Sequence, residues 1–243
     1  MRIWVTRPER DATVLRAKLV AQGHEVFVEP LLLIDFEQAD PLDLIDVQAL
    51  IATSRNGVRA AAESDVADVA RQLPLFAVGP GTASTAEALG FDYVIKGHST
   101  AEALLPKILS LSDVNGGALL HLAGGNLAFD LAGELRQMGY HVIQPTVYIA
   151  RAATHLSIKL LTRIAVGDID GVILLSPRTA QTYVNLVMAH QIERTARRLR
   201  HFCLSSNVAA RLSQLQPEAI EVARVPNIRE LLALTGQATA NCD

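Results

Sequence analysis

The chain has little of what would mark a secreted, metal-bound or nucleic-acid-binding protein. Its 243 residues hold two cysteines, Cys203 in an apolar run and Cys242 beside the C-terminal residue. That pair gives neither a disulfide framework nor a zinc-ligand spacing, and a reducing, cytoplasmic setting fits it best. The seven histidines are scattered, with no H-E-x-x-H pair, so no metal is expected. Positive charge is not in excess, since 22 Lys and Arg face 25 Asp and Glu for a net charge of −3. Such a balance argues against nucleic acid or a membrane surface as partner, and it leaves any anionic ligand to local donors. No apolar run nears the roughly 20 residues that cross a bilayer. Met1-Arg2-Ile3-Trp4-Val5-Thr6 enters a strand pattern at once, without the long apolar stretch of a signal peptide.

Phosphate-binding and nucleophile motifs are missing too. Ala123-Gly124-Gly125-Asn126 lacks the Lys-Ser/Thr of a Walker loop, and there is no G-x-S-x-G elbow. Gly79-Pro80-Gly81-Thr82-Ala83-Ser84 misses the dinucleotide fingerprint at its third glycine, follows an internal strand and has no clear acidic partner at the end of the next strand.

What the chain does have is a repeat. A strand, a Gly-terminated helix and a second strand running into proline occur first over 3–34 and again over 119–149. Leu15, Leu19 and Gly23 are answered by Leu131, Leu135 and Gly139 at a constant offset of 116. After a one-residue deletion Pro30 is answered by Pro145, and Ala49-Leu50-Ile51-Ala52-Thr53-Ser54 finds its match in Val172-Ile173-Leu174-Leu175-Ser176. Short β-rich runs alternate with helical periodicity along the whole chain, which predicts mainly parallel, doubly wound sheets. Half of the residues are apolar, enough to bury substantial cores. The expected fold class is therefore α/β, with two similar doubly wound parallel-sheet domains. The natural connectors lie near 31–37 and 145–151, since each follows a strand–helix–strand unit and precedes a polar stretch. Two such lobes imply a cleft, the usual place for a ligand.

Small hydroxyl and glycine residues crowd the C-terminal ends of the predicted strands: Thr6-Arg7, Thr53-Ser54, Gly79-Pro80-Gly81-Thr82, Gly97-His98-Ser99-Thr100, Ser176 and Ser205-Ser206-Asn207. In open α/β sheets ligands bind at that edge. Hydroxyls and the free N–H groups of helix first turns suit carboxylates or phosphates there, although each Ser, Thr or Asn can equally be an N-cap and nothing more. Arg7 follows the first strand, where a guanidinium can grip a carboxylate with two parallel hydrogen bonds or form a surface ion pair. Tyr148 lies on an alternating pattern in the second connector. A phenol is protonated at neutral pH and can give a hydrogen bond or a proton, while its alternative role is packing.

Taken in order, Val5-Thr6-Arg7-Pro8, Pro30-Leu31, Thr53-Ser54-Arg55-Asn56-Gly57-Val58, Val78-Gly79-Pro80-Gly81-Thr82-Ala83, Val147-Tyr148 and Leu175-Ser176-Pro177 resemble the uroporphyrinogen-III synthase family over nearly the whole chain. The resemblance implies two α/β domains joined by a two-stranded connector, with the chain leaving the first near 35 and returning near 150, so that one domain is discontinuous (1–35 with 150–243) and the other runs over 37–147. It also implies a cyclising lyase that closes hydroxymethylbilane to uroporphyrinogen III, with loss of water, inversion of the last ring and no cofactor. Tyr148 then matches the family's connector tyrosine and becomes the candidate for assisting departure of the hydroxyl. Thr82 matches the threonine of the Gly-Pro-x-Thr motif and Ser176 the serine after the return strand. Arg7, Ser54 and Ser99 become carboxylate contacts. A monomer is expected, because no large apolar helix face stands out, and the resemblance leaves room for transient contact with the enzyme that makes the bilane.

The chain departs from the family in two places. Where a second threonine motif belongs it reads Leu204-Ser205-Ser206-Asn207-Val208, which leaves Ser205, Ser206 or Asn207 to replace the hydroxyl lost at Val208. Arginines often present around 123–128 are replaced by Ala123 and Ala128. The alternative reading is a non-catalytic two-lobed module that binds an anionic ligand or regulates through it. A nucleotide-dependent transferase or reductase would rest on the imperfect glycine loop alone.

Overall fold

The computed structural model describes residues 1–36, 42–98, 100–125, 127 and 129–236. Ser99, Asn126, Ala128 and Cys242 lie outside the described residues. The chain divides into two compact units, Met1–Leu33 with Arg151–Asp243, and Ile34–Ala150.

The sheet of the first unit runs Ala219–Val222, Arg200–Cys203, Gly171–Leu174, Arg2–Val5, Glu25–Val28, every neighbouring pair parallel. A strand with helices on both faces must be apolar on both, and this one is. Ile3 and Val5 pack with Leu15, Leu19, Phe202 and Leu231 on one face, while Trp4 faces Val172, Leu174, Tyr183 and Val184 on the other. The covering helices are Glu9–Ala21, Ile158–Ala165, Pro177–Ala189 and Ile228–Thr235. Asn227 caps the last of these, accepting from Glu230 N–H at 2.9 Å.

The sheet of the second unit runs Val94–Lys96, Leu75–Ala77, Val47–Ala52, Ala118–His121, Val142–Ile143, again all parallel. Leu50, Ala52, Leu75 and Leu120 serve the core on one face and Ile51, Phe76, Leu119, Leu131 and Leu135 the core on the other.

The repeat explains how the two sheets are related. At the offset of 116, strands Arg2–Val5 and Glu25–Val28 correspond to Ala118–His121 and Val142–Ile143, and through the match of Ser54 with Ser176 strand Gly171–Leu174 corresponds to Val47–Ala52. Both sheets then have one and the same strand order, entered by the chain at different points. Each has its topological switch point where crossovers leave in opposite directions: between Arg2–Val5 and Gly171–Leu174 in the first unit, and between Ala118–His121 and Val47–Ala52 in the second.

The structure adds local detail to this plan. The connector strands Leu32–Asp35 and Thr146–Ala152 belong to a three-stranded sheet completed by Ala123–Gly124, because Gly124 lies in register with Tyr148. The periodic pattern missed helices Ala67–Gln72, Leu105–Leu111, Ile158–Ala165 and Glu193–Ala196, all short. After strand Arg200–Cys203 the chain forms one α-turn, Ser206–Ala209, followed by a 3₁₀ turn, Ala210–Leu212. Among the described residues no helix is long and apolar enough to cross a membrane.

Candidate active site

In the second unit the C-terminal strand edge carries Ser54 and Thr82. Strand Val47–Ala52 ends in Thr53 and Ser54, and Ser54 caps helix Arg55–Ala62 by accepting from Gly57 N–H at 3.2 Å. Strand Leu75–Ala77 leads into helix Pro80–Ala88, whose third residue is Thr82, 6% exposed. Proline at the first helical position suits the turn, since its missing N–H would have had no partner there. The Arg55 guanidinium lies against Gly81, where an added Cβ would stand 2.5 Å from Nη2. Arg55 thus brings a cation against the turn that leads into Thr82, a residue outside the predicted site set.

Tyr148 is half-buried on strand Thr146–Ala152 and packs against the core that holds Leu122 and Val147. Its ring lies on Gly124, so closely that a Cβ there would fall 2.5 Å from both Cζ and Oη. The Tyr148 carbonyl accepts from Gly125 N–H at 3.1 Å, which holds the strand against the 123–125 segment.

Beside Thr53 stands His121, a residue outside the predicted site set. It is 1% exposed, with Gln144 Nε2 3.1 Å from Nδ1 and Thr53 Oγ1 3.3 Å from Nε2. Burial pushes its pKa down to about 4, so the ring is neutral at physiological pH. The clue was the repeat, since the counterpart of His121 at the offset of 116 is Val5.

The edge of the first unit carries the remaining candidates. Thr6 Oγ1 donates to Ile173 carbonyl at 2.7 Å, which commits that hydroxyl to the sheet. Arg7 lies 3.7 Å from Asp11 one helical turn on. Ser176 caps helix Pro177–Ala189, accepting from Thr179 N–H at 3.1 Å, with its Oγ 2.8 Å from Thr179 Oγ1. Ser205 opens helix Ser206–Ala209 without a side-chain cap bond, and Asn207 is exposed. Val208 is 1% exposed and belongs to the core of that unit, at the third helical position that Thr82 holds in the other.

Arg7, Ser176, Ser205 and Asn207 therefore share one strand edge and Ser54 and Thr82 another, while Tyr148 lies on the connector strand Thr146–Ala152 against Gly124. Ser99 lies outside the described residues. A cavity of about 510 Å³ lined by Glu193, Arg194, Arg197, Arg198 and Glu218 sits at the opposite, N-terminal ends of strands Arg200–Cys203 and Ala219–Val222. Among the described residues no three His, Cys, Asp or Glu side chains come together as metal ligands.

The architecture has solved relatives. The structure of uroporphyrinogen-III synthetase from Helicobacter pylori 26695 matches 96% of this chain and 97% of its own with a TM-score of 0.63, at 18% identity. A mutant uroporphyrinogen III synthase from the extremely thermophilic bacterium Thermus thermophilus matches 97% of each chain with a TM-score of 0.50, at 15% identity. At these identities the likeness is one of fold. No curated protein sequence matches the chain. The family model of uroporphyrinogen-III synthase HemD, however, matches residues 13–233, nearly the whole length, and the chain belongs to the uroporphyrinogen-III synthase family.

Proposed function

We propose that this chain cyclises hydroxymethylbilane to uroporphyrinogen III, acting as a monomer in the cytoplasm. The family match over residues 13–233 is the observation that carries the reading. The inventory of the strand edges supports it. A linear tetrapyrrole with an acetate and a propionate on each ring needs many N–H and O–H donors, and Ser54, Thr82, Ser176 and Ser205 offer them without making a chain of net charge −3 basic. Arg7 and Asn207 add donors on the first unit. Thr82 has no hydroxyl counterpart in the other unit, where Val208 is turned into the core, so Ser205 is the group that takes its place.

The reaction begins with departure of the terminal hydroxyl. Tyr148 Oη–H donates to that oxygen, and the pyrrole nitrogen lone pair expels it as water, leaving an azafulvene. The substituted carbon of the last ring attacks this electrophile and forms a spiro intermediate, which fragments and recloses with the last ring inverted. The proton lost on closure restores the phenol, so bilane becomes uroporphyrinogen III plus one water. Uncatalysed closure yields the uninverted type I isomer. Holding the chain in one folded geometry is then the larger task, and such orientation is worth several kcal/mol. The transient partner consistent with so reactive a substrate is the enzyme that forms the bilane.

The test is the isomer ratio when hydroxymethylbilane is given to the purified protein and the oxidised product is separated by chromatography. Type III is expected to predominate. Type I alone, formed at the rate of the blank, would leave a non-catalytic binding module.

A further inference from the structure

At the switch point of the second sheet three side chains form one hydrogen-bonded row. Gln144 Nε2 donates to His121 Nδ1 over 3.1 Å, and His121 Nε2 is 3.3 Å from Thr53 Oγ1. A neutral imidazole carries one proton. With Nδ1 acting as acceptor, that proton is on Nε2 and is donated to Thr53. The Thr53 hydroxyl, with a lone pair occupied, turns its own hydrogen away from the imidazole, and Thr53 is half-buried at the strand edge.

The fold does not need this row. Val5, the counterpart of His121, is in register with Val28 and Ile173, and the residue at the place of Thr53 is Leu175. Val5, Val28 and Leu175 pack in an apolar core. The same sheet position is thus filled with hydrocarbon in one unit and with a histidine, a glutamine and a threonine in the other. Burying polar groups costs free energy unless each is paired, and no stability argument favours them over the apolar set that the first unit carries.

We propose that Thr53 donates a hydrogen bond to a substrate carboxylate, and that His121, held by Gln144 as the Nε2–H tautomer, is the positioning residue that makes the hydroxyl a donor. The inference rests on the reaction proposed above, whose substrate carries two carboxylates on every ring. A carboxylate accepts and cannot donate, so a hydroxyl free to present its lone pairs is a poorer partner than one whose lone pair is already engaged.

Two experiments test it. Nitrogen-15 NMR of the imidazole in the parent protein should show His121 as Nε2–H, and the opposite tautomer would overturn the proposal without any activity measurement. In steady-state kinetics with hydroxymethylbilane, Thr53→Val should raise KM about tenfold to a hundredfold with kcat little changed, the range expected for one hydrogen bond to a charged group. His121→Phe should raise KM less, and should add nothing in the Thr53→Val background, whereas a merely structural histidine would cost the same in both. An unchanged KM in Thr53→Val, or additive effects, would overturn it. Gln144→Leu gives the same comparison if His121→Phe does not fold. A parent protein that makes only type I product would remove the proposed reaction and this inference together. Type III product with an additive cycle would remove the inference alone.

Discussion

Tyr148 and Gly124 constrain each other, and the constraint can be tested from either side. Removing the phenol hydroxyl takes away a hydrogen-bond donor but leaves the folding of the substrate intact. Tyr148→Phe should therefore lower kcat by about 10²- to 10⁴-fold while type III remains the main isomer. Gly124→Ala should reproduce much of that loss, because its Cβ would fall 2.5 Å from Tyr148 Oη and Cζ and force the ring aside. Circular dichroism would check that the variant is folded, and a Gly124→Ala protein with full turnover would show that the ring position does not matter. Tyr148 was legible in the sequence because a polar ring on an alternating connector strand stands out. Gly124 was not, because a glycine's reason is the atom that approaches it, and that atom is 24 residues away in the chain.

At the scale of the element, a candidate hydroxyl at a strand end has two claims on it. Ser54 caps helix Arg55–Ala62 through Gly57 N–H. Replacing a capping serine by alanine costs about 1 kcal/mol and by glycine a few tenths. Thermal denaturation of Ser54→Ala and Ser54→Gly should reproduce that difference, while both should raise KM equally if Ser54 also contacts a carboxylate. Recovery of KM in Ser54→Gly would mean that capping is its whole role. The same duality explains what could be read without coordinates. Strands such as Gly171–Leu174, buried on both faces, read as short apolar runs, and Gly23 and Gly139, both at positive φ, mark where helices stop. Helices of four to eight residues, among them Glu193–Ala196 and Ile158–Ala165, show too few turns for periodicity to declare them. His121 escaped because one histidine in an apolar strand gives no pattern by itself. Only its register beside Ile51 brings it to Thr53.

For the molecule as a whole, each unit buries a histidine that burial holds neutral, and this sets the response to acid. His121 in the second unit and His201 in the first, where its Nε2 lies 2.9 Å from Tyr183 Oη, both have pKa values lowered to about 4. Asp130 pulls the His121 value up and Arg136 pulls it down, both less than burial does. In the unfolded chain these groups protonate near 6.5, so below that pH the unfolded state binds protons that the folded state refuses. Stability is thus fully present above about pH 7 and falls as pH drops from 6.5 towards 4, by roughly 3 kcal/mol for each histidine. Asp168 and Asp170 extend the loss to lower pH. Hydrogen bonds from Arg163 and Arg2 to Asp168, and from Arg2 to Asp170, hold these carboxyls below the usual range, so their contribution is present above the ordinary carboxylate pKa and disappears as they protonate. Trp4, the single tryptophan, is buried against Tyr183 in the unit that holds His201. Urea unfolding followed by Trp4 fluorescence at pH 7.5, 5.5 and 4.5 should show the decline. His201→Phe, although less stable at every pH for want of the Tyr183 partner, should flatten its slope. A stability that stays level from pH 7.5 to 4.5 in the parent protein would mean that the His201 imidazole, in the unit Trp4 reports on, is not kept neutral by burial.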